Sequence, residues 1–283
     1  MRIIYKLFTL IAFSALFIGF VSCNKDNEAT FSSNNQNKSM PSNTEIVNGF
    51  TYADVLYLTS LHNEFCEEYA NIFDLSRGTV EEEMERCITE AILDGLGETE
   101  RKSIIDSFRQ HEFKPFSAED LALWVLENKD IKDKRTVSDF VFSISERDLD
   151  SSTYVSFSRM VDSLQTDACR ILSGYDLLAV ITYMEQAKAS YYYWMPEEAG
   201  GSGLGYSHIV SNFTPKTKGN NAQQPSKWWK AAASASLSDA KAATVASYVV
   251  AFSGGTGLGA AAAGIAGSSL LDGVITLLSE WNN

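Results

Sequence analysis

Residues 51–72 read TYADVLYLTSLHNEFCEEYANI, and this stretch decides the fold class. Val55, Leu58, Leu61, Phe65, Tyr69 and Ile72 recur every three or four residues, with Glu64, Glu67 and Glu68 between them. That spacing lines one face of an α-helix; a half-buried strand would alternate instead. The same period continues downstream. Residues 74–78 interrupt it, and Thr79 with Glu82 three residues on forms a capping box. The helix it opens would bury Val80, Met84, Cys87, Ile88, Ala91 and Ile92, and Gly95 and Gly97 close it. Residues 99–112 read as a third helix through Ile104, Ile105 and Phe108, and Ser117 with Asp120 caps a fourth carrying Leu121, Trp124 and Val125.

Residues 138–149 and 153–164 continue the helical reading. The run 136–145 also suits a strand, because Val137, Phe140, Val141, Phe142 and Ile144 are β-branched or aromatic. A long helix over 175–194 follows, and Pro196 forbids its continuation. The expectation is an all-α fold: a helical bundle of about six helices, followed by a C-terminal Gly/Ala-rich helical hairpin. Residues 196–232 read as a polar loop or linker with Gly200, Gly201, Gly203, Gly205, Pro215 and Pro225. Residues 242–271 then contain no charge at all, and the hairpin is placed at 233–283, as helices over 236–252 and 258–278 turning at Ser253-Gly254-Gly255.

Upstream of the helices, residues 1–22 form a positive start (Arg2, Lys6), an apolar run at 7–21, and then Ser22 before Cys23. The stretch Phe20-Val21-Ser22-Cys23 resembles the lipobox of bacterial lipoproteins, with Phe20 where that family usually has Leu. The resemblance implies cleavage before Cys23, acylation of that cysteine with palmitate-type chains, and a membrane partner reached through the lipid anchor. Lys25-Asp26-Asn27-Glu28 is similar to the export signals of Bacteroidota-type surface lipoproteins, which implies the outer membrane, on its cell-surface or periplasmic face. Residues 23–48, rich in Asn, Ser and Lys, read as a disordered tether between anchor and helical domain (49–195).

The whole chain carries a net charge of −13, and loss of Arg2 and Lys6 with the leader would take it to −15. Such a surface repels phosphate backbones, so nucleic acid is not an expected partner. Of the four cysteines, Cys66 and Cys87 fall on consecutive helices and form the favoured disulfide in an oxidising compartment. Closing a loop of about twenty residues would stabilise by ~3 kcal/mol in the chain-entropy model. Three buried thiols (Cys66, Cys87, Cys169) is the alternative.

Catalytic and cofactor patterns are weak. Gly257, Gly259 and Ala262 meet only a loosened dinucleotide fingerprint, with too little chain left for a βαβ unit. Gly200 to Gly205 lack the Lys-Ser/Thr of a phosphate loop. His62 and Cys66 share a helical face at a spacing that metals use, yet no second pair accompanies them; a buried Cys beside a half-exposed His is the favoured reading. Glu81, Glu82, Glu83 and Glu85 suit a helix N-terminus. No catalytic residue, metal or cofactor is expected.

Three features remain as contact candidates. Tyr191-Tyr192-Tyr193-Trp194 and Trp228-Trp229 could stack on sugars or sit at a membrane interface, or simply pack helix ends. Gly255, Gly259, Ala263 and Gly267 recur every four residues and resemble a glycine zipper, whose small stripe lets helices approach closely and self-associate. The same segment is similar to the Gly/Ala-rich helices of small bacteriocins. Two functional readings lead, and a third, an envelope hydrolase whose site no motif marks, stays open behind them. One is a cell-envelope lipoprotein acting as a non-enzymatic binding or interaction module for an envelope or extracellular ligand. The other is a membrane-active, bacteriocin-like antibacterial lipoprotein using the zipper hairpin.

Overall fold

The computed structural model describes residues 40–72, 77–78, 82, 86, 118–145, 153–205, 207 and 228–252. Their order is β1 (Glu45–Val47), β2 (Phe50–Thr51), α1 (Tyr52–Ile72), α2 (Ala118–Glu127), α3 (Lys134–Ser145), α4 (Tyr154–Ile171), α5 (Gly174–Trp194), a 3-10 turn (Glu197–Ala199) and α6 (Trp228–Phe252). The fold is all-α, with six helices and almost no strand among the described residues.

Helix α5 is the axis. It is buried on nearly every side, from Asp176 to Ala187 without a break and again at Ser190, Tyr191, Tyr193 and Trp194. A helix buried all round must be enclosed by others, and α1, α3, α4, α6 and β1 all pack on it. Pro196 ends it as expected: Met195 turns extended at φ −77°, ψ 140°, the conformation a following proline imposes. Helix α4 opens on Thr153, whose hydroxyl accepts from the Ser156 amide at 3.3 Å. It buries Phe157, Val161, Gln165 and Ala168 in one stripe.

The run 136–145 is helix, not strand. Asp133 caps it, accepting from the Thr136 amide at 3.0 Å and the Thr136 hydroxyl at 2.7 Å. Val137, Val141 and Ile144 then fall on one buried face, so capping and packing override the β-branched composition. Asp176 of α5 fixes the preceding loop by accepting from the amides of Lys132 (2.8 Å) and Asp133 (3.0 Å).

Two boundaries move. The expected tether runs to residue 48, but Glu45–Val47 already form β1, and Ile46 joins the core with Phe50. Asn48 and Gly49 take φ of 49° and 77°, the paired left-handed conformation of a two-residue hairpin turn. That turn pairs Val47 with Phe50 and Glu45 with Thr51. At the other end, α6 starts at Trp228, inside the expected linker.

The linker's first residues also belong to the fold. The amides of Gly201, Ser202 and Gly203 donate to the carbonyls of Pro196, Tyr192 and Met195, folding the chain back over the end of α5. A Cβ on Gly201 would lie 2.1 Å from the Met195 carbonyl oxygen, a backbone atom. Gly201→Ala should therefore cost about 1–3 kcal/mol through overpacking, read as a lower urea midpoint at unchanged slope.

Several expectations fall outside the described residues: the leader and Cys23, the tether up to residue 39, Cys87 and its pairing, most of the helices at 79–97 and 99–112, and the zipper residues Gly255, Gly259, Ala263 and Gly267.

Candidate functional site

Helices α5 and α6 run antiparallel. The Tyr248 hydroxyl donates to the Tyr175 carbonyl at 2.8 Å, the Thr244 hydroxyl lies 3.5 Å from the Ala179 carbonyl, and Ser190 donates to Asp239. The contacts at 175, 179 and 190 mark the stripe of α5 that faces α6. Thr182, Gln186 and Tyr193 continue the same three- and four-residue spacing. Opposite them α6 offers small side chains, with Ala240, Ala243, Thr244 and Ser247 all buried. The seam between the two long helices is therefore polar and close-packed rather than lined by large aliphatics.

At one end of this seam sits His62 of α1, fully buried. Its Nε2 lies 3.5 Å from Asp239 Oδ2 and 3.7 Å from the Cys66 sulfur one turn along. Its Nδ1 lies 2.9 Å from Asn63 Oδ1. The Asn63 amide orientation is set by its nitrogen, which donates to the Ala189 carbonyl at 3.2 Å. Both ring nitrogens thus face oxygen acceptors, an arrangement that suits the doubly protonated ring. Burial pushes the His62 pKa down, but Cys66 and Asp239 push harder the other way and hold it well above the usual histidine range. The result is an imidazolium–carboxylate pair in a closed circuit: Ala189 carbonyl, Asn63, His62, Asp239, and Ser190 back on α5. It ties three helices together.

The expected half-exposed histidine is therefore corrected: packing of α1 against α5 and α6 leaves His62 no exposure. The circuit is not a nucleophile–base–orienter triad, because thiol and carboxylate crowd the same ring nitrogen. Among the described residues, no group of three His, Cys, Asp or Glu side chains is placed to hold a metal ion.

A second cluster joins α1, α4 and α5. Lys188 donates to Asp162 at 2.9 Å, to Glu185 at 3.1 Å and to Gln165 at 3.3 Å. The Tyr52 hydroxyl donates to Glu185 at 2.5 Å and accepts from Gln165 at 3.1 Å. Burial lowers the Lys188 pKa, yet Glu185 and Asp162 outweigh it, so the ammonium is held charged rather than prepared as a nucleophile. Burial and Glu185 together push Tyr52 far above the ordinary phenol range. Both clusters serve as charged ties between helices.

The aromatic candidates divide. Trp194 is in the core, 1 % exposed, with its ring edge-on to Tyr193 at 5.1 Å. It offers no face to a sugar or a membrane; of the readings offered for this residue, packing of the helix end is the one its burial fits, and the folded-back loop at Gly205 covers it. Trp228 and Trp229 open α6, and their side chains are outside the description. An aromatic group that sequence reading passed over stands at the opposite end of the seam. There Phe252, well exposed, stacks on Tyr175 at 4.9 Å, and Tyr248 bridges Tyr175 (5.0 Å) to Trp124 (4.8 Å). Trp124, Tyr175 and Tyr248 each lie on a helical period, but only the fold brings three helices' rings together.

Of the expected C-terminal hairpin, the described helix α6 packs along α5, and among the described residues no helix is long and apolar enough to cross a membrane. No family model, no curated protein and no solved structure matches this chain.

Proposed function

We propose that this chain is a lipid-anchored protein of the bacterial cell envelope, attached at the outer membrane through Cys23, and that it acts there as a non-enzymatic binding or interaction module. The observation that carries the reading is the leader itself: Arg2 and Lys6, the apolar run at 7–21, and Ser22-Cys23 at its end. The run is short for a bilayer span, which needs about 20 residues, and the cysteine stands where a lipobox places the acylated residue. Support for an interaction role comes from the body. Its two ionic clusters, the buried His62–Asp239 pair and the half-buried Lys188–Glu185–Asp162 group, are committed to tying helices together.

Metabolic labelling with a palmitate analogue tests the anchor. The full chain expressed in a bacterial host should take up label and partition into the detergent phase, and Cys23→Ala should abolish both. An unlabelled wild-type product, or a mass spectrum with residues 1–22 still attached, would sink the envelope assignment.

A further inference from the structure

The seam between α5 and α6 carries an internal conflict. At the Ser190–Asp239 level it is tied by the His62 circuit. One to two turns away on the same stripe, the Thr182 hydroxyl, both amide atoms of Gln186 and, at the far side of the tie, the Tyr193 hydroxyl are buried without a hydrogen-bond partner. Thr182 and Gln186 have no exposure, and Tyr193 is 1 % exposed. Each such group left bulk water on folding and gained no hydrogen bond from another protein group in return. The facing side chains of α6 are too small to compensate through apolar burial: Ala240, Ala243, Thr244 and Ser247 contribute little area each. Closure of α6 on α5 is thus opposed along the middle of the seam and held at its two ends, by the Asp239 tie and by Tyr248 and Phe252 on Tyr175.

We propose that α6 is a strap that lifts from α5 as a unit while the rest of the bundle stays folded, with the Asp239 tie as its latch. Lifting rehydrates Thr182 and Gln186, and it bares a groove on α5 lined by hydroxyl and amide groups. The closed form masks that groove. This inference goes beyond the envelope reading and does not depend on the anchor.

Native-state hydrogen exchange on the full chain, followed against low denaturant, tests it. Amides of α6 should exchange at least about tenfold faster than those of α4 and the centre of α5, with a shallower denaturant dependence, the signature of a sub-global opening. Gln186→Leu removes the unpaired amide and should slow α6 exchange by about tenfold, the size expected for relieving one unsatisfied buried group. Thr182→Val is the milder second variant and should act in the same direction. Protection of α6 equal to that of α4, with the same denaturant slope, would overturn the strap. So would a Thr182→Val protein whose α6 amides exchange as fast as wild type or faster.

Discussion

Replacing Asp239 by alanine should lower the unfolding free energy by about 3–5 kcal/mol, because it leaves a buried charged partner uncompensated. The partner is His62, fully buried, with Nε2 3.5 Å from the carboxylate. Ser190 loses its acceptor in the same stroke. Asp239→Asn keeps an acceptor for Ser190 and should cost less. The double variant His62→Ala/Asp239→Ala should be more stable than the two single losses predict, since the second removal also removes the stranded group. The pH dependence has a definite sign. The folded His62 pKa lies well above its unfolded value of about 6.5. Its contribution is therefore fully present below about 6.5 and is lost as pH rises through the folded value. The stability gap between wild type and His62→Gln, measured by urea titration, should narrow on going from neutral to alkaline pH. A gap that stayed flat on that path would show His62 to be neutral in the fold.

The helical class was legible because its signal is local. The three- and four-residue spacing at Val55, Leu58 and Leu61 survives in α1, where Val55 and Leu58 are fully buried. Pro196 also acts where it stands, since its restriction falls on the neighbouring Met195. The hairpin at the start was readable and passed over: Asn48-Gly49 between apolar residues is a strong short-range turn signal. The tether's low apolar content obscured it. The choice between helix and strand at 136–145 turned on Asp133, just outside the ambiguous run, whose side chain closes the first turn. The polar circuit was only half visible. His62 and Cys66 announce themselves by spacing on one helix, but Asp239 and Ser190 arrive from helices far along the chain. No local pattern links them. The one hint lay in Asp239 itself, a carboxylate with few charged neighbours in an Ala/Ser-rich helix, where burial demands a partner.

Trp194→Ala should destabilise the fold by about 3–5 kcal/mol, the range for deleting a buried aromatic. For a chain of this size that amounts to roughly 2–4 °C of melting temperature per kcal/mol. A ring serving mainly as a surface contact would behave otherwise, leaving stability within about 0.5 kcal/mol when removed. The loop that covers the ring supplies an independent check. A Cβ on Gly205 would approach Trp194 Cε3 to 2.7 Å and the Tyr193 ring to 2.8 Å. Real side chains do not sit that close, so Gly205→Ala alone should be destabilising through overpacking, by about 1–3 kcal/mol. Shrinking the ring makes room for the added methyl group. Trp194→Leu combined with Gly205→Ala should then cost less than the two changes summed, by a coupling of about 0.5–3 kcal/mol. Strict additivity in that cycle would mean that the loop over 196–205 does not rest on the end of α5. The sign of the coupling thus tests the packing of Trp194 separately from any loss of stability that its removal alone would cause.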